Sequence, residues 1–327
     1  MVKKVSVIIP TFNSENIIRK LIRDLELQTY KNIEVIFVDD QSTDHTLEVL
    51  ESILEIHTNF IVKSIHHAGQ SVARNYGMNI ATGDYIMFID SDDRVHPKYI
   101  ERLVSVINQE DADIVECRYI VGYKEDDYKK LKDSENFGKI LKDNVFELLS
   151  SSLGSNVNSV PVWNKIYKKE LIDDVRFLTG NNQSEDLWFN IKVFAKANKV
   201  VRISDELYFY FQHPNSALHK RVSHKDMEIL ETHKLIVSFV RDIYGDSKEL
   251  ELANIKFIRT YYSLLLRCLR NKTNIDFSEN DFDILRKGVV LNFKLLVHSP
   301  MKLSRKLALL SLFFLLKVNM ISISTIR

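Results

Sequence analysis

Asp90-Ser91-Asp92-Asp93 packs three carboxylates into four positions, directly after the apolar run Tyr85–Ile89. Carboxylates this close repel one another unless a cation joins them. Hard divalent ions such as Mg²⁺ or Mn²⁺ favour oxygen ligands and share them with substrate phosphates, and a departing diphosphate needs its charge neutralised. A solvated acidic turn is the ordinary fate of an isolated Asp-x-Asp, but the strand-like residues ahead of this one favour the chemical reading. Asp39-Asp40 repeats the arrangement after Val35–Val38. A carboxylate there could accept hydrogen bonds from a nucleobase or ribose, or could cap a helix together with Ser42. Arg74 and Asn75, on a helix entered from Gly69-Gln70-Ser71, could reach the same cleft; the alternative for Arg74 is a surface salt bridge. Glu185-Asp186 heads another helical pattern, where acids are favoured by the helix dipole. Its chemical alternative is a general base that takes a proton from an acceptor hydroxyl. His213, in His213-Pro-Asn-Ser216, could complete a metal or phosphate shell, or be structural.

The elements that must position these groups follow from periodicity. Val5–Ile9, Ile33–Val38, Ile61–Ile65 and Tyr85–Ile89 are short β-branched or apolar runs that read as buried strands. Between them lie helical patterns: Ile17 to Leu25, expected to be capped by Asn13 or Ser14; Leu47 to Leu54, capped by Ser42 or Thr43; and Ser71–Ile80. Pro97 opens a further helix, and Ile114–Cys117, Trp163–Lys168 and Leu207–Phe211 read as strands around a helix at Glu185–Ala197. Residues 122–160 have little pattern and read as surface loop with a short helix. Alternating strands and helices imply a largely parallel α/β sheet with helices on both faces, whose ligands sit at the carboxyl ends of the strands. The acidic clusters fall there. Beyond His224 the chain reads as helices at 226–243, 248–270, 279–296 and 301–317.

Composition bounds the partners. The formal net charge of +1 argues against nucleic acid as the main partner. Cys117 and Cys268 lie far apart and suggest neither a disulfide framework nor a zinc site, so a cytoplasmic, reducing setting is the default. No GxGxxG follows the first strand and no GxxxxGK[ST] occurs, which weakens dehydrogenase and P-loop readings.

In order along the chain stand Ser6-Val-Ile-Ile-Pro-Thr-Phe-Asn13, Gln28-Thr-Tyr30, Val38-Asp-Asp-Gln-Ser-Thr-Asp44, Gly69-Gln-Ser-Val-Ala-Arg-Asn75, Gly83-Asp-Tyr85 and Ile89-Asp-Ser-Asp-Asp93. Trp163-Asn-Lys165 and Glu185-Asp186 follow. Together these motifs resemble the family 2 glycosyltransferases, over about residues 4–220. The resemblance implies a GT-A catalytic domain over 1–220, with nucleotide-sugar binding in 1–120 and the acceptor and catalytic part in 121–220, ahead of a helical region over 221–327. It implies that Pro10, Phe12 and Asp40 line the base and ribose pocket, that Arg74 approaches the donor's diphosphate or sugar, and that Asp90 contacts ribose. Asp92 would hold Mn²⁺ or Mg²⁺ bridging the phosphates. Asp186 would be the catalytic base of an inverting displacement, with Glu185 holding the acceptor or orienting the base. His213 and Ser216 resemble a loop that closes over the donor phosphates, His213 reaching the metal. The pattern departs at His67-Ala68 and at Phe211. The implied activity is transfer of a sugar, from UDP by family habit, to a glycan or lipid-linked oligosaccharide in bacterial surface polysaccharide synthesis. The competing readings are a sugar-phosphate nucleotidyltransferase, which the loop Thr11-Phe-Asn-Ser14 disfavours for want of glycine or basic residues, and a non-catalytic scaffold, which would have lost the acidic residues.

The C-terminal region has its own signal. After Asp283 there is no Asp or Glu, while eight Lys and Arg residues follow. Leu307–Leu316 is apolar except for Ser311, roughly half the ~20 residues that a bilayer span needs. A basic, apolar helix of that length is expected to lie on the inner face of a membrane. The alternative seats are the body of the protein or a second copy, making a homo-oligomer.

Overall fold

The computed structural model describes residues 2–134, 139–141, 144–153, 159–180, 183–212, 222–270, 275–299 and 303–317. The chain divides into two compact units, residues 1–144 with 159–213, and residues 145–158 with 214–327.

The first unit holds strands β1 (Val5–Thr11), β2 (Ile33–Asp39), β3 (Phe60–Ser64), β4 (Tyr85–Phe88), β5 (Arg94–Val95), β6 (Ile114–Gly122), β7 (Lys139–Ile140), β8 (Lys165–Lys168) and β9 (Val200–Phe211). Helices α1 (Ile18–Glu26), α2 (Thr46–Leu54), α3 (Gln70–Ile80), α4 (Tyr99–Gln109), α6 (Lys169–Ile172) and α7 (Glu185–Lys196) belong to it, while α5 (Asn144–Ser152) leads into the second unit. The strand order is β3-β2-β1-β4-β8-β6-β9-β5, with β7 paired to β9. β3, β2, β1 and β4 run parallel. Every residue of β1 and β2 is buried, as expected of strands covered on both faces. This is the mostly parallel, helix-flanked sheet of the GT-A expectation. β8 runs antiparallel between β4 and β6, so the second half of the sheet is mixed. β9 is longer than the expected Leu207–Phe211: its first half carries Arg202, Asp205 and Glu206, which obscure the strand pattern, and its register against β6 shifts around Arg118.

The register Thr11↔Asp39 and Ile8↔Phe88 brings β1, β2 and β4 to an end on the same edge. The two loops leaving β1 and β2 interlock there. The amides of Asn13, Ser14 and Glu15 donate to Ser42 Oγ, Thr46 Oγ1 and Asp44 Oδ2, and Asn13 Oδ1 accepts from the Thr43 amide. Asn13 and Gln41 adopt left-handed φ of 49° and 58° to make these turns. This lacing explains why the expected caps are otherwise engaged. Ser14 Oγ pairs with Ser91 Oγ, not with the start of α1, and Ser42 Oγ donates to Asp39, while Asp44 Oδ1 accepts from Thr46 at the head of α2.

α3 lies directly on β1. A Cβ at Gly77 would stand 2.4 Å from Ile8 Cγ2, so glycine lets the helix approach the sheet. Arg74, one turn earlier, is buried on that inward side, and Gln70 stands one turn before Arg74.

The second unit packs α8 (Glu228–Tyr244), α9 (Lys248–Arg270), α10 (Glu279–Leu291), α11 (Phe293–His298) and α12 (Leu303–Lys317) around a separate apolar core. Leu309, Leu312 and Leu316 of α12 belong to that core, so this helix is no free tail. No helix among the described residues is long and apolar enough to cross a membrane.

Gly77→Ala should destabilise the protein by about 1–3 kcal/mol through overpacking against Ile8, despite alanine's better helix propensity. In an Ile8→Ala background the same change should cost measurably less, because the new methyl enters space that Ile8 has vacated. Chemical denaturation of the four proteins of this cycle checks both statements; equal costs in the two backgrounds would remove the close approach.

Candidate functional site

The laced edge presents Phe12, Asp40 and the Asp90–Asp93 turn. Pro10 is buried within β1 opposite Val38, and Phe12 behind it is 44% exposed. The Phe12 ring lies against the His67 imidazole, centroids 4.7 Å apart and planes tilted by 34°. Asp40 is buried, and its carboxylate accepts the amides of Ala68 at 2.8 Å and Gly69 at 2.9 Å. Gly69, at φ 89°, makes the turn that brings those amides round and starts α3. His67 Nδ1 stands 2.9 Å from Asp40 Oδ2. Asp40 therefore fixes the entry to α3 as well as facing the edge, and His67 is a site residue that the motif reading passed over.

Arg74 organises the centre. Only 1% exposed, it is no surface salt bridge. One terminal nitrogen donates to Asp90 Oδ1 at 2.7 Å; the other donates to Asp186 Oδ1 at 3.0 Å and stands 3.5 Å from Glu185 Oε1. Its guanidinium carbon sits 5.3 Å from the Phe177 ring centroid. Burial alone would lower the pKa of Arg74, but the three carboxylates outweigh it and raise it further. One buried cation thus joins the strand-edge turn to the first turn of α7.

Glu185 and Asp186 have different surroundings. Gln70 Nε2, one turn before Arg74, donates to Glu185 Oε1 at 2.5 Å. Burial and the neighbouring Asp186 push Glu185 up to about 7, against the pull of Arg74. Asp186 is also raised, first by burial and then by Asp90, but Arg74 and the Val162 amide, 3.3 Å from Oδ2, both favour its ionised form. The closer guanidinium nitrogen and the Val162 amide favour the charged form of Asp186 more than that of Glu185. Both Asp186 contacts come from outside its own helix, so more than capping holds it.

The segment bearing that amide is held from behind. Asn190, four residues along α7 and fully buried, donates to Val160 O at 2.7 Å and accepts from Tyr167 Oη at 2.8 Å. Lys165 donates to Pro161 O at 2.6 Å and faces Glu116, which also holds Ser159. Asn190 and a main-chain amide carry no signature in sequence; only the fold brings them to Asp186.

The acidic turn separates into three environments. Asp90 faces Arg74. Asp93 is buried, with Tyr208 Oη donating at 2.6 Å and the Phe211 amide at 2.9 Å, and burial followed by the charges of Asp92 and Asp90 raises its pKa well above the ordinary range. Tyr208 stacks on Trp163, centroids 4.3 Å apart, which ties the Trp163-Asn-Lys165 motif to this turn. Asp92 lies half-buried on a small hollow with Ile17, Lys20, Arg94, Phe209 and Phe211. Among the described residues no three His, Cys, Asp or Glu side chains form a metal cage. The donor set fits a cation that takes a carboxylate from Asp92 and further oxygens from phosphate and water, the usual habit of Mg²⁺. His213 and Ser216 lie outside the described residues.

Residues 6–176 match the family model for glycosyl transferase family 2. The chain is 33% identical over 222 residues to the glycosyltransferase GlyA of Streptococcus pneumoniae serotype 4, an alignment covering 63% of this chain and 30% of that protein's length. It is 28% identical over 294 residues to the putative glycosyltransferase EpsH of Bacillus subtilis, covering 88% of this chain and 82% of EpsH. Among solved structures, S. aureus TarS 1–349 in complex with UDP-GlcNAc shares the fold with a TM-score of 0.68 at 22% identity, over 90% of this chain and 83% of that one.

Arg74→Met leaves three carboxylates around a buried void of charge and should cost about 3–5 kcal/mol of stability at neutral pH. A loss under 1 kcal/mol in denaturant titration would contradict the hub. Glu185 supplies a pH test with a definite sign. A carboxyl raised on folding makes the folded state the better proton binder, so its stabilisation is complete below the ordinary carboxylate range and is lost as pH rises through about 7. Glu185→Gln should therefore gain in melting temperature relative to the parent as pH rises from about 5 to 8. A constant difference across that range would show that Glu185 titrates normally.

Proposed function

Because the chain belongs to glycosyl transferase family 2, we propose that it is an inverting, metal-dependent enzyme moving a sugar from a UDP donor to a hydroxyl of a lipid-linked glycan. Its reaction would serve bacterial surface polysaccharide synthesis at the cytoplasmic face of a membrane. The observation that carries this reading is the buried Arg74 bridge, which sets the carboxylate of Asp186 beside the strand edge where Asp90 lies. A single displacement needs such an arrangement: a base for the acceptor hydroxyl close to, and distinct from, the groups that hold the leaving diphosphate.

In this reading Phe12 stacks on the base, with Pro10 and Asp40 shaping the base and ribose pocket and Asp90 contacting ribose. Arg74 orients Asp90 and Asp186 and contributes positive charge beneath the donor. Asp92 is the protein ligand of Mn²⁺ or Mg²⁺, with His213, and Ser216 joins the phosphate contacts. When bound, the cation neutralises the diphosphate as it leaves. Asp186 takes the acceptor proton, and Glu185, protonated near neutrality, donates to and orients the acceptor. TarS 1–349 was solved with UDP-GlcNAc, which supports a UDP-linked N-acetylhexosamine or hexose as the donor.

Asp186→Asn removes the base and leaves a side chain of the same shape. Turnover should fall roughly 10²–10⁴-fold, while the rise in melting temperature on adding UDP-GlcNAc or UDP-glucose with Mn²⁺ should persist, because a ligand of the native state stabilises by mass action. Near-normal turnover would take the base role from Asp186. Absence of any metal-dependent shift with UDP-sugars in the parent protein would overturn the donor assignment.

A further inference from the structure

The second unit shows an apolar surface that sugar transfer does not use. On α12, Leu309, Leu312 and Leu316 are at most 4% exposed, and Phe313 stacks on Phe293 of α11 with centroids 3.7 Å apart. That side of the helix is core. Leu303, Leu307, Leu310 and Phe314 are 72%, 56%, 46% and 66% exposed. Their spacing of i, i+4, i+7 and i+11 draws them into a stripe within roughly 60° of arc, opposite the core side. An ordinary surface helix hides its apolar side and shows a polar one, whereas α12 is apolar on both. Several large apolar side chains left open together mark an interaction site.

Charge selects the occupant. From residue 284 onward the chain carries eight Lys and Arg residues and no Asp or Glu, and Lys306 falls beside the stripe by helical spacing. A second copy seated face to face would bring like charges together. An anionic lipid surface would receive Lys306 and the leucines together. α12 spans 15 residues, about 22 Å at 1.5 Å per residue, which is too short to cross the ~30 Å hydrocarbon layer. We propose that the α12 stripe seats the second unit on an anionic bilayer, with α12 lying in the plane of the interface. The seat is a face of a folded core, not a detachable tail, and its test does not depend on the transfer reaction.

The full chain is sedimented with vesicles of phosphatidylcholine and phosphatidylglycerol in equal parts, and with phosphatidylcholine alone. Affinity for the anionic vesicles should be at least roughly tenfold higher and should fall with added salt. Replacing Leu307, Leu310 and Phe314 together by Gln should weaken that binding roughly tenfold or more. Ile56→Gln, at a 74% exposed position of the first unit, should leave it unchanged. No binding of the parent chain to anionic vesicles would overturn the proposal, as would equal binding by the triple variant or an equal loss with Ile56→Gln. A concentration-dependent dimer that the triple variant abolishes, without vesicle binding, would assign the face to a second copy instead.

Discussion

A single buried guanidinium sets the terms for the first unit. Arg74 holds Asp90, Asp186 and, at longer range, Glu185 from one position on α3. Three carboxylates around one cation leave an excess of negative charge in a poorly solvated place, and burial with the neighbouring Asp186 pushes the Glu185 carboxyl up to about 7. Several other features serve this arrangement. Gly77 lets α3 sit close enough to β1 for Arg74 to reach both sides. Asp40 fixes the turn that starts α3. Asn190 and Lys165 fix the segment that brings the Val162 amide to Asp186.

The same logic gives two adjacent acids different chemistry. Glu185 and Asp186 share burial, yet the guanidinium lies closer to Asp186 and only Asp186 receives the Val162 amide. In the proposed reaction a base must be ionised when the acceptor hydroxyl arrives, and a group that orients that hydroxyl acts best as a donor. Local geometry distinguishes the two acids in a way that residue type alone does not, which is what supports the proposed division of roles.

Much of this was legible in the sequence. The buried parallel strands showed as short β-branched runs, and register then forced Phe12, Asp40 and Asp90–Asp93 onto one edge. Other features depend on partners far away in the chain or without a side-chain signature. Nothing about Arg74 announces that its partner lies 112 residues on. The Val162 contact is a main-chain amide, and the Asp93 environment is set by Tyr208 from β9, whose polar first half hid the extent of that strand. Ser14 and Ser42 looked like helix caps because capping is their commonest local use, but the interlocked loops claimed them first. The C-terminal helix shows a different limit: a uniformly apolar run cannot reveal that one side is core and the other open.

Carboxyl ¹³C NMR titration of Asp- and Glu-labelled protein, with Asp186→Asn and Glu185→Gln used for assignment, tests the central claim directly. The account predicts that Asp186 ionises at lower pH than Glu185, which keeps its proton to near neutrality, and that Arg74→Lys narrows the separation between them. Glu185 ionising first, or the two carboxyls titrating together at ordinary carboxylate values, would contradict it.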